Sequence, residues 1–274
     1  MIDADAFNAF EAAGWERKAS GYDDFFGQIT ARVIDPLLDA AMAGRGERLL
    51  DVATGPGYVA ARAAGRGAQV VGVDVAEAMV TLARRRHPEL EFHQADAETL
   101  PFPDASFDAV VANFLVLHLG RPERAAGELA RVLVAGGRLA LTAWDLPERA
   151  RFLGVFLDAV AAAGATAPTD IPRGPDFFRF SHEQEFAGLL RGAGLEAVEV
   201  ETLEFTHLVA SVDELWDGLL GGTVRTSALI VGQPDETRER IRVEFDRVVS
   251  QFRGRDRLEL PVSVKLAAGR KALS

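Results

Sequence analysis

Arg48-Leu-Leu-Asp51-Val-Ala53-Thr54-Gly55-Pro56-Gly57-Tyr58 is a short apolar run that carries an acid near its end and then breaks into a glycine turn. Gly55 and Gly57 let the backbone pass close under a ligand, and Asp74 closes the next apolar run at the place where ribose hydroxyls are held in nucleoside-binding sheets. Gly55, Gly57 and Ala60 also satisfy the pattern G-x-G-x-x-G/A, which alone does not separate a dinucleotide from another nucleoside ligand. Two features do. Pro56 withdraws a backbone N–H from the turn, and no Arg or Lys lies between Asp51 and Ala61 to carry the charge of a pyrophosphate. Asp51 lies in a run that reads as buried, where a carboxylate needs a cationic or donor-rich partner. The two acids suit a ligand with an ammonium group and two ribose hydroxyls.

Outward from this turn, β-branched runs alternate with Ala/Arg/Leu-rich stretches. Strands are expected over 48–52, 69–73, 91–95, 107–112 and 138–144, with helices over 58–65, 77–87 and 123–134 between them. The runs VVGVDV and FDAVVANFL are apolar almost throughout, as a parallel sheet covered on both faces requires. Beyond residue 146 the pattern predicts a helix over 147–163, a Pro/Gly-rich loop GATAPTDIPRGP at 164–175, a helix over 183–191 and a strand over 195–205. Helices over 212–220 and 235–252 and a final strand over 258–265 complete a count of seven strands. The fold class is α/β, a doubly wound seven-stranded sheet with its ligand site at the carboxyl ends of the strands. The chain reads as a single domain, 1–274, with an N-terminal helical lid (1–46), a binding core (47–145) and a substrate-side half (146–274) holding a helical insert at about 211–253.

Composition removes several functions. The chain has 274 residues and no cysteine, so disulfide frameworks, thiolate metal sites and thiol nucleophiles are excluded. With 30 Lys and Arg against 41 Asp and Glu the net charge is -11, the wrong sign for neutralising nucleic-acid phosphates. The apolar stretch from Ala109 to Leu119 is broken by Asn113 and His118 and falls short of the ~20 residues of a membrane span. The first residues carry acids and show no basic-then-apolar order, so no signal or transit peptide is expected and the cytoplasm is the expected location.

Four segments, DVATGPG, VVGVDVAEAM, QADAETLPFPDASFDAV and RVLVAGGRL, together resemble a class I S-adenosylmethionine-dependent methyltransferase, closest to the small-molecule, ubiquinone/menaquinone-type branch. The resemblance implies a Rossmann-like fold, S-adenosyl-L-methionine as cofactor and S-adenosyl-L-homocysteine as product. By that likeness Asp51 with the backbone of Ala53, Thr54 and Gly55, and Gly57 in the same turn, hold the methionine part, and Asp74 with Val75 takes the ribose. Met79 lies against the adenine, Asp96 accepts its exocyclic amine, the backbone around Ala97 and Glu98 meets a ring nitrogen, and Asn113 lines the methionine side. Two positions depart from the family: Ala53 where many members have Gly, and Ala135 where Pro precedes Gly136-Gly137.

The segment Trp15 to Phe26 resembles the family's lid, with Tyr22 as its cofactor contact and Trp15 as an anchor. Phe26, Phe178, Trp216 and Arg225 lie on elements that roof the acceptor pocket in such enzymes, and the aromatic content leans toward an apolar acceptor. His118, in the loop after the fourth strand, is the candidate base because an imidazole titrates near neutrality. His93 is expected to pack in the third strand and His207 to follow the sixth. No metal site is expected. A monomer or homodimer acting on a small-molecule acceptor is the leading reading. Its rivals are a protein of the same fold that binds the cofactor without methylating, such as an isomerase or cyclase, and an NAD(P)-dependent oxidoreductase. The purified protein is expected to bind S-adenosylmethionine or S-adenosylhomocysteine in preference to NAD(P)H. A calorimetric titration in which a dinucleotide binds more tightly removes the reading.

Overall fold

A computed structural model of the chain describes residues 2–169 and 171–273; Met1, Ser274 and Asp170, within the loop 164–175, lie outside it. The strands are β1 (Arg48–Val52), β2 (Gln69–Asp74), β3 (Glu91–Gln94), β4 (Phe107–Ala112), β5 (Leu133–Trp144), β6 (Leu195–Val209) and β7 (Leu258–Lys271). They form one sheet in the order β3-β2-β1-β4-β5-β7-β6. The first five are parallel, and β7 runs antiparallel between β5 and β6. The chain leaves β1 toward β2 on one side and later returns with β4 on the other. That reversal opens a crevice at the carboxyl ends of β1 and β4, the place where such sheets bind ligands.

Helices α3 (Tyr58–Gly65), α4 (Glu77–Arg86) and α5 (Pro122–Val132) are the crossovers, and α2 (Ile34–Ala40), α6 (Arg151–Ala162) and α7 (Glu183–Gly192) add to the layers. Leu49 and Leu50 of β1 and Val110 and Val111 of β4 are fully buried, which accounts for the unbroken apolar runs. The edge strand β6 instead alternates between half-buried and exposed positions.

Over the crevice lies α1 (Ala4–Thr30), capped by Asp3, whose side chain accepts the Ala6 N–H at 3.0 Å. It rests on α8 (Val212–Gly222), α9 (Arg225–Val231) and α4, and α10 (Asp235–Val249) packs behind on α6. The seam between α1 and α8 is made of glycines. Gly21 faces the Gly221 carbonyl, Gly218 faces Phe25 and Gly222 faces Phe26. Polar ties hold the same helix down: Lys18 donates to the Leu220 carbonyl (2.6 Å) and the Ser227 hydroxyl (3.0 Å), and Glu16 accepts the Ala78 N–H (3.1 Å).

Several boundaries differ from the sequence expectation. Helix α6 starts at Arg151 rather than at 147, because Asp145 accepts the Leu146 N–H (2.8 Å) and the chain turns through 146–150 first. Strand β6 continues to Val209 because its pairing with β7 continues to Val209 opposite Leu258, so His207 lies inside the strand. His93 does not pack: it is exposed and meets the Glu91 carboxylate at 2.6 Å. Helix α8 runs two residues past 220, through Gly221 and Gly222, before the insert breaks at Thr223-Val224, and α9 follows unforeseen. These glycines are side-chain-free packing positions rather than turn formers.

Replacing Gly21 by Ala improves helix propensity by about 1 kcal/mol. Its Cβ, however, falls 2.5 Å from the Gly221 carbonyl oxygen. The expected net effect in urea unfolding is a loss of about 1 to 3 kcal/mol. Gly188, inside α7, has no atom within 4 Å of a built Cβ, and Gly188→Ala should stabilise the protein instead.

Candidate active site

The turn after β1 is left-handed at three positions: Ala53 (φ 58°), Gly55 (φ 53°) and Gly57 (φ 85°). Ala53 adopts the conformation at a cost of roughly 1 kcal/mol that a glycine there would avoid. A Cβ on Gly57 would stand 3.0 Å from both His87 Cδ2 and Phe92 Cζ, so this glycine is needed for space as well as angle. Above Gly55 there is no atom within 4 Å of where a Cβ would stand, and the turn leaves an open cradle there.

The turn folds around Asp51. Its Oδ2 accepts the Thr54 hydroxyl at 2.6 Å and the Ala60 N–H at 3.0 Å, while its Oδ1 has no partner. No cation neutralises it, and the side chain has no exposure. Burial pushes its carboxyl up to about 7, against the pull of those two donors and with a further push from the charge of Asp74. Asp74 accepts Gly55 N–H on Oδ2 (2.9 Å) and Ala76 N–H on Oδ1 (3.0 Å), and burial pushes it up to about 6. Two acids thus stand side by side at the bottom of the crevice, both held above the usual carboxylate range.

From them a cleft runs beneath α1, enclosing about 1220 Å³ of atom-free space, open mouth included. One end is lined by Ala53, Gly55, Asp74, Val75, Met79, Asp96 and Ala97. The other is walled by Phe26, Phe114, Leu115, Trp144, Leu153 and Phe177, with Phe114 stacked on Trp144 at 3.8 Å. Asn113 sits between the two ends, tied to the Thr30 carbonyl (3.2 Å) and to the Thr142 hydroxyl (2.6 Å). Tyr22 stacks on Phe26 and shares a hydrogen bond with Thr30 (3.1 Å); burial pushes its hydroxyl up to about 12, so it stays protonated. His118 Nδ1 meets Glu11 Oε2 at 3.0 Å, with Glu11 almost fully buried and its Oε1 unpartnered. Trp15 packs edge-on to the imidazole at 5.0 Å. Among the described residues no cluster of three metal-ligating side chains occurs.

Residues 50–141 match the methyltransferase domain family. The demethylmenaquinone methyltransferase of Clavibacter sepedonicus is 32% identical over 194 residues, which cover 67% of this chain and 76% of that protein. The chain belongs to the class I S-adenosylmethionine-dependent methyltransferases. The YcgJ protein of Bacillus subtilis shares the methyltransferase's fold at a TM-score of 0.59 and 22% identity, over 88% of this chain and 98% of its own. The [4+2]-cyclase SpnF aligns at a TM-score of 0.55 and 25% identity, over 89% and 82%. As a methyltransferase the protein is an enzyme that methylates a small molecule, and the oxidoreductase alternative falls.

Of the residues singled out in the sequence, Tyr22, Phe26, Ala53, Gly55, Asp74, Val75, Met79, Asp96, Ala97, Asn113, His118 and Arg225 border the methyltransferase's cleft. Asp51, Thr54 and Gly57 stand behind this lining, shaping the turn from within. Glu98 does not border it: its carboxylate is taken by Arg121 (2.8 Å) and Asn8 (2.7 Å), a clamp that fixes the start of α1. Phe178 is displaced by one residue, since Phe177 enters the cleft and Phe178 packs against it from outside. Trp216 is half-buried, packed on Phe156 and Phe245, each 5.1 Å away, and belongs to the packing of the insert. Glu11 and Thr30 were missed, because polar positions on an N-terminal helix carry no motif and only the crossing of α1 over β4 brings them in.

Both acids keep their protons to higher pH when folded than the unfolded value of 3.8. The folded state then binds more protons, and the stability of the cofactor-free enzyme falls as pH rises from there toward 7. Asp51→Asn removes this, so the cofactor-free variant should be more stable than the wild type at pH 8, the gain shrinking toward pH 5. It should also bind S-adenosylhomocysteine roughly tenfold or more weakly, a charged hydrogen bond being lost. Parallel pH profiles of denaturation for the two proteins would show that Asp51 is not the group responsible.

Proposed function

We propose that this methyltransferase holds S-adenosyl-L-methionine along the ends of β1 and β2, methylates O, N or C of a small, largely apolar acceptor under α1 and α8, and releases S-adenosyl-L-homocysteine. The observation that carries the reading is Asp51 Oδ1, an unpartnered carboxylate oxygen without exposure beside the open cradle of Gly55. Such a pair fits an ammonium group and a chain passing close over the turn. When bound, the cofactor supplies a methyl group on a sulfonium, activated for in-line displacement.

The chain's own residues do the rest. Asp51 and the Ala53-Thr54-Gly55 backbone bind the methionine end, Asp74 and Val75 the ribose. Met79 covers one face of the adenine, Asp96 accepts its amine, and the Ala97–Glu98 backbone reaches its ring. Asp96 keeps one oxygen for this, its Oδ1 being taken by the Glu98 N–H at 2.8 Å. Tyr22 and Asn113 border the junction of the two ends. The aromatic walls exclude water from the reacting atoms and orient the acceptor, which is most of what a displacement needs. Where the nucleophile is a hydroxyl, His118 takes its proton at Nε2 while Glu11 fixes the ring through Nδ1. The negative net charge and the shape of the cleft support a small acceptor rather than nucleic acid, with the cytoplasm as the place of action.

A [4+2]-cyclase shares the fold, so cofactor binding without transfer is the outcome that would overturn the reading. Incubation with candidate acceptors and mass detection of an added methylene separates the two. For a hydroxyl acceptor, His118→Ala should lower turnover by roughly 10² to 10⁴ with cofactor affinity nearly intact. Glu11→Gln should lower it less, and the wild-type rate should fall in acid. Near-normal turnover in His118→Ala with an unchanged pH profile assigns catalysis to positioning alone.

A further inference from the structure

The acceptor end of the cleft contains a cation without a counter-ion at hydrogen-bond distance. Arg225, at the start of α9, is largely buried, and its guanidinium carbon lies 5.2 Å from the centre of the Phe7 ring and 5.3 Å from that of Phe177. One nitrogen, Nη2, donates to the Pro175 carbonyl at 3.1 Å; Nη1 is buried and donates to nothing. Burial pulls the guanidinium down from its ordinary value, and Glu11 and Asp176, the acids near enough to counter this, make no hydrogen bond to it. An unmade bond to a buried charged donor is costly, and the enclosed lysines of this fold are partnered. Lys265 donates to Glu183 (3.0 Å) and Thr202 (2.7 Å), and Lys18 to Leu220 and Ser227.

The neighbourhood of Arg225 is the reacting end. His118 lies within 6.0 Å of the same Phe177 ring, and Arg225 and His118 both border the cleft. Glu11 holds His118 through Oε2, and its other oxygen, Oε1, makes no hydrogen bond to Arg225. The second acid near Arg225, Asp176, makes no hydrogen bond to the guanidinium either, so Nη1 keeps its donor unspent. Around them the surfaces are apolar and planar: Phe177, Phe114 and Trp144.

Resting on the reading that this end of the cleft seats the acceptor, we propose that the acceptor is anionic, an apolar, planar molecule with a carboxylate or acidic enolate oxygen that docks on Arg225 Nη1. Arg225 is then the residue that selects the substrate. Its guanidinium is pre-positioned between two rings, so little side-chain entropy is lost when the anion arrives. Anion and body bind together: charge at α9, ring against Phe177, with the nucleophile left facing Asn113 and His118.

The test uses a matched pair of probes, 2-hydroxybenzoate and the neutral 2-hydroxybenzamide, titrated calorimetrically into the full-length protein with and without S-adenosylhomocysteine. The anion should bind the wild type roughly 10- to 100-fold more tightly than the amide, as expected for a charge-assisted bond in an enclosed site. Arg225→Gln should erase the preference while leaving the affinity for the amide and for S-adenosylhomocysteine near wild type. Arg225→Met, which keeps the contact with both rings, should do the same, and Arg225→Lys should keep part of it. Equal affinities for the two probes in the wild type, no anion binding at millimolar concentration, or a preference that survives in Arg225→Gln overturns the proposal. Because the wild-type comparison decides by itself, a variant that fails to fold does not shield the idea. Failure of the wild type to bind S-adenosylhomocysteine counts against the cofactor reading instead, and the probe preference without cofactor still judges the acceptor.

Discussion

The carboxylate of Asp51 is carried to the bottom of the crevice near the end of β1 without a cation to meet it, and the architecture of the site follows from that. The turn of Ala53 to Gly57 wraps so that Thr54 and the first turn of α3 reach one oxygen and leave the other. Left-handed backbone at three positions out of five is the geometric cost of that wrapping. Asp74 stands close enough to raise it further. A protein could relieve this strain with a lysine; leaving it unrelieved keeps the crevice ready for a ligand that brings its own positive charge.

The second constraint is the approach of α1. A helix of 27 residues lies close on α8 because each contact has a glycine on one side, Gly21 on α1 itself, and Gly218 and Gly222 on α8 opposite Phe25 and Phe26. Polar ties at Lys18, Asp23 and Glu16 fix its azimuth, so that Glu11, Trp15 and Tyr22 point inward together. The side chains that close the cleft and the one that orients His118 are therefore on one rigid element. Any loosening of the seam acts on both ends of the cleft at once.

The parallel half of the sheet was legible because its signals are local: an apolar run, a glycine turn, an acid at a strand end. Asp51, Asp74 and Asp96 follow that rule. What stayed hidden depends on contacts distant in sequence. Glu11 reaches His118 across 107 positions, and the Glu98 side chain, whose backbone alone was assigned, reaches Arg121 and Asn8 across 23 and 90. Phe178 and Trp216 show the limit for aromatic residues, since composition places rings near a pocket but not the side of the backbone from which each enters. The packing role of Gly222 stayed hidden because glycine serves both turns and close helix contacts, and only the position of Phe26 tells which.

One feature of the sheet bears on how the molecule comes together. Strand β7 follows every other element in sequence yet occupies an interior position, hydrogen-bonded to β5 on one side and β6 on the other. Until it arrives, β5 ends in an open edge and β6 has no partner, although both precede it. The five parallel strands, with the whole turn around Asp51, can organise from contacts already available, whereas the wall that carries Trp144 lacks its neighbour Val264. One end of the crevice thus rests on strands that lie closer together in sequence, while the wall at the other end rests on pairing with the chain's last strand.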